Sequence, residues 1–584
     1  NLVLDWMIPG VPGLKLKALG NYYTYNDRTK IWNKTPNQYD LEGNPNNPNK
    51  PSLSKSVWST SGFTTQFFAN YDRTFGKHTV GATAGIEATG NKVDNVSLSR
   101  EEYLLIVDQI EAGPVATAKN GSYEDESARA GIIGRIKYDY ASKYVVEASI
   151  RYDGSDLFPK GKRWGAFYSG SAAWVLSEES FWQTLKDKHI FDQFKIRGSY
   201  GEIGLDNIDR YSYLSSYTPS ERGYLIDGSF VPGFSEGAMV SKDITWYTSK
   251  SMNIGFDFGS LNNRLSGSVD YFRMATTGYL ASPSNVGYTG PLGTSLPNVK
   301  TNGESIRQGA EFILQWKEKR GDFEYVVSGN LTYFDSFYNI NPFESEVNLK
   351  NPYIRSTQAK GYWGTGLTSL GYYSSQEDVM NSAKRPGSVN LGAGDIKYQD
   401  FNGDGIIDGS DNHRIGKNGF PRCNYGINVD LNYKGWFLNM LWQGATPNDL
   451  YMGNMIQGDA SSGYLPVIYK FQSDTWTPSN TDSRYPRLRS SKTYNGNNNY
   501  QQSDFWLVNA AYIRLKNLSV GYDFKNRLLK RTAWLTKCNL ALSGYNLLTF
   551  SPASKFGMDP EIGNGNLYTY PVSRVYSISI NLGF

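Results

Sequence analysis

The last stretch of the chain, residues 574–584, most constrains what it can fold into. Every second residue there is apolar, from Tyr576 to the terminal Phe584, and the residues between are mostly small and polar. Because side chains alternate across a strand, one face of this strand is apolar and the other is polar. A wall between lipid and a wet lumen requires this pattern, although a strand in a soluble core can also show it.

The same alternation recurs along the chain, in residues 194–200, 252–258, 265–272 and 425–433. The second face of these segments carries charged residues, which are costly in a dry core and stable against water inside a barrel. The alternation therefore favours a barrel wall. A large soluble sandwich or propeller with one wet face is the alternative that the pattern leaves open.

Composition narrows the choice. The chain has 584 residues with 43 Tyr, 14 Trp and 60 Gly, and its mean hydropathy is −0.51. No stretch approaches the roughly 18–20 apolar residues of a membrane helix, so any membrane crossing must use strands in a closed barrel. A net charge of only +4 argues against a nucleic-acid partner. Cys423 and Cys538 are too few for a disulfide framework, and the three His residues lack zinc or triad spacing.

The alternating segments predict an all-β chain of about 17 antiparallel transmembrane strands. The predicted strands lie near residues 2–8, 12–26, 56–73, 78–90, 125–139, 143–155, 163–177, 193–202, 246–258, 264–275, 305–318, 322–336, 422–433, 436–444, 511–523, 534–548 and 573–584.

The predicted connections alternate in length. Short turns near 9–13, 75–77, 262–263, 319–322 and 434–435 alternate with long loops near 203–245, 276–304, 337–421, 445–510 and 549–572. This alternation is typical of an outer-membrane barrel with long extracellular loops, short periplasmic turns and a periplasmic C-terminus. Bacterial single-chain barrels have an even strand number. The odd number here, and a first segment that reads as a strand rather than a signal peptide, lead us to expect that residues 1–584 are the C-terminal part of a larger barrel.

Several segments resemble the SusC-like TonB-dependent outer-membrane transporters. They cover most of the chain in order and comprise residues 143–155, 163–165, 171–174, 195–201, 263–271, 512–522, 545–549, 559–561, 570–571 and the closing strand. The resemblance implies a barrel of about 22 strands with an N-terminal plug, energised by TonB, that imports an oligosaccharide or peptide under a SusD-like surface lipoprotein. About five strands, the plug and the TonB-binding segment would have to come from another chain or from a missing N-terminal portion.

The strongest chemical motif is residues 400–411, within the long loop 337–421. Its spacing matches the oxygen donors of a calcium loop, with a glycine at the sharp turn. The predicted ligands are Asp400, Asn402, Asp404, the backbone carbonyl of Ile406, Asp408 and Asp411. Asp411 replaces the usual Glu at the last position and has a shorter reach. The prediction is a structural calcium ion, and the alternative is a metal-free acidic turn.

Aromatic residues in the long loops could stack on sugars or peptide side chains, or could pack within the loops. These residues are Tyr362, Trp363, Tyr372, Tyr373, Tyr451, Tyr464, Tyr469 and Trp476. The run Asn495–Tyr500 is rich in Asn and predicts an exposed loop tip. Neighbouring carboxylates such as Glu178 and Glu179 fall in turns, where solvated side chains are expected rather than glycosidase chemistry.

The leading hypothesis is a non-enzymatic barrel in the outer membrane of a Gram-negative bacterium. It would be surrounded by outer-membrane lipid and would actively import a nutrient. The first alternative is a barrel that binds or adheres without transport. The second is a soluble all-β enzyme acting on carbohydrate.

Overall fold

The computed structural model describes residues 1–34, 39–40, 42–44, 50–105, 107–281, 296–452, 473–489, 492–525, 528–562 and 572–584. Among these residues, seventeen strands form one antiparallel sheet. They are Leu2–Met7 (β1), Leu14–Asn33 (β2), Ser52–Phe75 (β3), His78–Glu101 (β4), Lys119–Tyr140 (β5), Tyr144–Ser155 (β6), Trp164–Val175 (β7), Gln193–Leu205 (β8), Tyr247–Ser260 (β9), Leu265–Thr277 (β10), Glu304–Arg320 (β11), Phe323–Ile340 (β12), Cys423–Tyr433 (β13), Trp436–Ala445 (β14), Tyr512–Asp523 (β15), Lys537–Phe550 (β16) and Val575–Gly583 (β17).

The predicted all-β fold and its strand number are confirmed, but β3, β4 and β5 are longer than expected. The prediction ended β4 near residue 90, whereas the strand continues to Glu101. The added part pairs with both neighbouring strands, and Lys92 lies 3.0 Å from the Glu126 carboxylate. Alternation of apolar residues marks only the part of a strand that faces lipid. Beyond the membrane both faces of the strand are mainly polar, so the strand continues without an alternating pattern in its sequence.

Most connections alternate in length as predicted, although 156–163 is short at a long-loop position and two others depart in the opposite sense. Short connections such as 76–77 and 434–435 alternate with long ones such as 341–422 and 446–511. The two others are 176–192 and 524–536, which occupy short-turn positions in the alternation.

Two compact units divide the chain. The first comprises residues 1–173, 199–250 and 278–301, and the second comprises 174–198, 251–277 and 302–584. In the first unit β1 to β6 pair in sequence order, and Tyr217–Ile226 pairs with Ser229–Glu236 as a separate hairpin. In the second unit β10 to β17 pair in sequence order.

In the part of the chain that the structure describes, the connections contain the following short elements. The remaining strands are Leu280–Ala281, Val299–Lys300, Gly364–Gly366, Ser369–Tyr372, Ile396–Tyr398, His413–Ile415, Asp449–Tyr451 and Leu507–Asn509. The α-helices are Gln183–Asp187, Glu346–Lys350 and Gln376–Asn381. The 3₁₀ turns are Ile110–Ala112, Val115–Thr117, Leu176–Glu178, Ser180–Trp182, Gly409–Asp411, Lys492–Asn495, Asn498–Tyr500, Asp504–Trp506 and Pro552–Phe556. In the described part of the chain, no helix has the length and apolar character needed to span a membrane.

The strand registers place apolar residues in rows across one face of the sheet. Val429 on β13 lies opposite Val327 on β12 and Met440 on β14. Leu542 lies opposite Val520 and Ile578 in the same way. These rows agree with the predicted lipid-facing side.

The other face of the sheet is polar. On β8, the Arg197 guanidinium donates two hydrogen bonds of 2.6 Å to the carboxylate of Asp270 on β10. Its Nε also donates at 3.2 Å to Asp257 on β9. A bidentate pair of this kind suits a water-filled side of the wall, as the alternation predicts.

A pair of substitutions in β13 tests the assignment of the two faces. Val429→Arg puts a charge into the apolar row near the middle of the strand, and we expect it to destabilise the folded protein in bilayers by about 2–4 kcal/mol. Asn428→Arg, one residue away on the polar face, should change stability by only about 0.5 kcal/mol. Urea unfolding in liposomes measures both. Equal costs for the two variants would contradict the assignment.

Candidate functional site: a lobe built from the long loops

Three long connections of the second unit fold together into one structure. The loop lobe is defined here as the described residues of 341–422, 446–511 and 551–562. Its hydrophobic core consists of Leu367, Ile396, Tyr398, Ile407, Leu450, Tyr451, Met452, Tyr485, Trp506, Val508, Ala510, Ala553 and Met558. All three connections contribute to this core, so the lobe is a packed body rather than a set of separate loops.

Backbone hydrogen bonds join the first two connections of the lobe. Leu367 N donates to Gln502 O at 2.9 Å. Ser369 N donates at 2.8 Å to the carboxylate of Asp504, and burial raises the pKa of that carboxyl above its usual range. Segments distant in sequence therefore share one scaffold.

A buried aspartate organises the polar centre of the lobe. Asp395 is fully buried, and its Oδ1 accepts hydrogen bonds from Arg489 Nε at 3.0 Å, Asn495 Nδ2 at 3.1 Å and Asn499 Nδ2 at 3.0 Å. Its Oδ2 accepts from Arg489 Nη2 and from the backbone N–H of Gly392. A buried carboxylate is tolerated only with such partners.

The Asn-rich run 495–500 supplies much of this network, so the prediction of an exposed loop tip is wrong. Asn495, Asn498 and Asn499 are all at most 2% exposed. Asn498 Nδ2 donates to Ile396 O at 2.8 Å, and Asn499 Oδ1 accepts from Ile396 N at 2.9 Å. The amides are buried because they satisfy the backbone of a short inner strand as well as Asp395.

Most loop aromatics that could have contacted a ligand pack inside the lobe. Tyr373, Tyr451 and Trp476 are buried, and the Trp363 ring stacks on Tyr451 at 5.1 Å. Burial raises the pKa of Tyr451 to about 12, as expected for a packing residue.

The other loop aromatics differ in position. Tyr372 packs against the lobe core, and Arg414 lies 5.5 Å from the ring of the half-buried Tyr362. Tyr464 and Tyr469 lie outside the described residues. The described aromatic residues that are buried in the lobe, or packed against its core, therefore contribute to packing rather than to an exposed binding surface.

The predicted calcium loop is a tight turn in the lobe. The Asp400 carboxylate accepts from the N–H groups of Gly403 and Gly405, both at 2.7 Å. Asn402 Oδ1 accepts from Asp404 N at 2.9 Å, and Asp404 Oδ1 accepts from Ile406 N at 2.8 Å.

The far end of the same loop is closed by Asp411. This residue is fully buried, and its Oδ1 accepts from Phe401 N at 2.7 Å while Oδ2 accepts from Asp408 N at 2.8 Å. Asp408 in turn accepts from Ser410 N at 2.7 Å. Ile407 is buried in the core of the lobe and anchors the loop, and Ile406 is exposed.

The fit of this loop to calcium rests on its donor set. Carboxylate, amide and carbonyl oxygens are the ligands that calcium takes, and they are present at the expected spacing. Among the described residues, however, no group of three or more His, Cys, Asp or Glu side chains converges on a metal-sized point. Calcium binding stays a prediction.

A polar cavity of about 430 Å³ borders this loop. It is lined by Thr365, Leu367, Arg385, Pro386, Ile407, Asp408, Gly409, Asn412, Gln501 and Gln502. The Arg385 guanidinium is held by Ser388 Oγ and Gly496 O, both at 3.0 Å. Guanidinium, carboxylate and amide groups around one cavity suit recognition of a small polar group. Sequence reasoning missed Arg385 because no local motif marks it.

Ion pairs of Arg514 with Asp559 and Glu561, called here the Arg514 latch, join the third connection to the sheet. Arg514 on β15 is 1% exposed, and it donates to Asp559 and Glu561, both at 2.6 Å, and to Thr549 Oγ1 at 3.0 Å. Tyr512 Oη also donates to Glu561 at 2.8 Å. The segments 512–522 and 559–561, which carry part of the family resemblance, therefore meet in the structure.

The buried aspartate of the lobe can be tested directly. Asp395→Asn keeps the shape but removes the charge that faces Arg489, and breaking a buried pair costs about 3–5 kcal/mol. We expect the amides of the lobe core to exchange with solvent at least about a hundredfold faster in hydrogen-exchange mass spectrometry. Glu346→Gln, at an exposed pair with Lys350, is the matched control. Equal exchange in both variants would show that Asp395 does not organise the lobe.

Comparisons with known proteins place this geometry in a family. The family model described as "TonB dependent receptor-like, beta-barrel" matches residues 3–415. TonB-dependent receptor P3 of Formosa agariphila is 26% identical over 90% of this chain and 52% of its own length. TonB-dependent receptor SusC of Bacteroides thetaiotaomicron is 25% identical over 79% of this chain and 44% of its own length. The chain thus spans about half the length of the curated relatives it matches.

Solved structures show the same fold. The RagAB peptide transporter matches with a TM-score of 0.77 at 20% identity, over 100% of this chain and 61% of the matched chain. The RagAB peptide importer in its open-open state gives a TM-score of 0.78. Members of this family are outer-membrane β-barrels and transporters rather than enzymes. The chain belongs to the TonB-dependent receptor β-barrel family and resembles its SusC-like members.

Proposed function

We propose that this chain is the barrel portion of a transporter that actively imports a nutrient across the outer membrane, energised by TonB. The observation that carries the proposal is the family match over residues 3–415 on a chain whose long connections form a packed lobe. A barrel that served only to adhere would not need the TonB-dependent architecture.

The orientation follows from the connection lengths. The loop lobe lies outside the cell, and the short turns and the C-terminus lie in the periplasm. The curated relatives are about twice as long as this chain. The plug, the TonB-binding segment and the strands that complete a barrel of about 22 therefore belong to an N-terminal portion of the whole protein or to a separate chain.

A SusD-like lipoprotein is the proposed partner of the lobe, and an oligopeptide or oligosaccharide is the proposed substrate. Support for a partner comes from large apolar side chains at the lobe surface. Leu370, Met380 and Val389 are each more than half exposed, and such residues favour a protein interface. A solved relative is named a peptide transporter, which favours the peptide class.

Uptake by intact cells tests the proposal. Strains lacking the gene for the whole protein, or lacking TonB, receive labelled oligopeptides or labelled oligosaccharides. We expect uptake of one class to be lost in both strains, because the proposed transport requires both components. A lipoprotein should co-purify with the wild-type barrel.

The controls separate transport from adhesion. Asp395→Asn should reduce uptake at an unchanged amount of barrel in the outer membrane, and Glu346→Gln should not. Normal uptake of both classes in the deletion strain, with loss of attachment to surfaces, would reject import and favour the adhesion barrel.

We further propose that residues 400–411 bind calcium through Asp400, Asn402, Asp404, Asp408 and Asp411 and the carbonyl of Ile406. The support is the donor spacing and the two left-handed glycines, Gly403 and Gly405, that allow the tight turn. The ion would stabilise the rim of the polar cavity.

Calcium removal tests this site. At a concentration a hundred times its dissociation constant, calcium would stabilise the lobe by about 2.7 kcal/mol, so chelation should accelerate proteolysis within 341–422. Asp404→Ala should abolish the protection from proteolysis by calcium. Glu377→Ala, which removes an acidic side chain elsewhere in the same connection, should leave that protection unchanged. An identical cleavage pattern with and without chelator would identify a metal-free turn.

A further inference from the structure

The apolar face of the second unit carries a groove beside the connection 524–536. The groove has a volume of about 690 Å³. Its lining side chains come from four neighbouring strands and from the connection: Trp436 (β14), Val520 and Tyr522 (β15), Leu540 and Leu542 (β16), Ile578 (β17), Phe524 and Leu528. The groove is therefore almost wholly hydrocarbon-like and opens on the side of the sheet assigned to lipid.

Aromatic rings form the end of the groove nearest the connection. Trp436 and Tyr522 meet edge to face at 5.1 Å, and Tyr522 and Phe524 do so at 4.9 Å. Tyr and Trp are enriched where a barrel wall meets the membrane–water interface. The groove thus runs from the hydrocarbon zone to the level of lipid headgroups.

The described residues of the connection, 524–525 and 528–536, are held by several contacts. Leu528 N donates to Phe524 O at 2.9 Å, and Lys525 Nζ donates to Thr532 O at 2.7 Å. Trp534 stacks on the terminal Phe584 at 5.8 Å. These contacts keep Leu528 over the groove.

Charge is distributed unequally around this groove. Residues 524–538 include five basic residues, Lys525, Arg527, Lys530, Arg531 and Lys537, but no Asp or Glu. Lys525 is used within the turn. Lys530 and Arg531 are exposed, and the described part of the chain offers neither of them an ion-pair partner. Two exposed cations in the connection that borders a hydrocarbon groove complement a molecule with an acyl chain and an anionic head.

We propose that the groove binds a glycerophospholipid with an anionic headgroup. One acyl chain lies along Val520, Leu540 and Leu542, and the headgroup is held by Lys530 and Arg531. Basic side chains near an anionic lipid surface each contribute measurably to binding. The inference rests on the membership of the chain in an outer-membrane barrel family and not on the proposed import.

Native mass spectrometry of the whole receptor, purified from outer membranes in mild detergent, tests the proposal. Phosphatidylglycerol and phosphatidylethanolamine of identical acyl chains are added in separate titrations. We expect the wild-type receptor to retain phosphatidylglycerol at about tenfold lower lipid concentration than phosphatidylethanolamine. The double variant Lys530→Glu/Arg531→Glu should lose this preference.

Two further variants separate charge from shape. Lys77→Glu/Lys319→Glu makes the same change of charge in or next to two other short turns and should keep the preference. Val520→Trp fills the groove from the lipid face and should reduce retention of both lipids. Equal retention of the two lipids by wild type, or an unchanged preference in Lys530→Glu/Arg531→Glu, would overturn the proposal whether or not import is demonstrated.

Discussion

The backbone of a strand that faces lipid must find every hydrogen-bond partner within the sheet, and this constraint governs the rest of the structure. Hydrocarbon cannot replace a missing partner. Each strand therefore pairs with its neighbours in a long antiparallel register, as β12 and β13 do over the whole of β13. One face of the sheet is assigned to lipid, and the other bears ion pairs such as that of Arg197 with Asp270. The cluster of thirteen buried apolar residues described above lies in the loop lobe.

The features of the strands that follow from this constraint could be predicted from the sequence. Residue alternation gave the strand number and the apolar rows, because each side chain of β13 reports its own face. It did not predict the ends of β3 to β5, where Lys92 and its neighbours continue the ladder between polar faces. Hydrogen bonds there depend on the partner strand and leave no local pattern.

The loop lobe was harder to predict because its order comes from contacts distant in sequence. The run 495–500 has the composition of an exposed turn, yet its amides are buried around Asp395, about a hundred residues away in the chain. Arg514 and Glu561 lie in two separate segments that resemble the family, and their contact is seen only in the folded chain. Aromatic side chains such as Trp363 and Tyr451 carry no mark that distinguishes packing from ligand binding. The calcium-like loop was readable because all its donors lie in twelve consecutive positions, 400–411.

The long connections of the lobe and the connection 524–536 differ in which side chains they bury and which they expose. The long connections of the lobe bury a polar network around Asp395, whose carboxylate accepts hydrogen bonds from Arg489, Asn495 and Asn499, and hydrogen-bonded networks of this kind make a structure more rigid. A lobe fixed by Asp395 and by the Arg514 latch presents the Arg385 cavity in one geometry, which lowers the ordering cost of recognising a solute. The connection 524–536 instead exposes Leu528 and Trp534 together with the cations Lys530 and Arg531. A segment with that composition is stable where hydrocarbon meets charged headgroups. The proposed selection of a solute and the proposed binding of a lipid therefore make use of different connections of the same sheet.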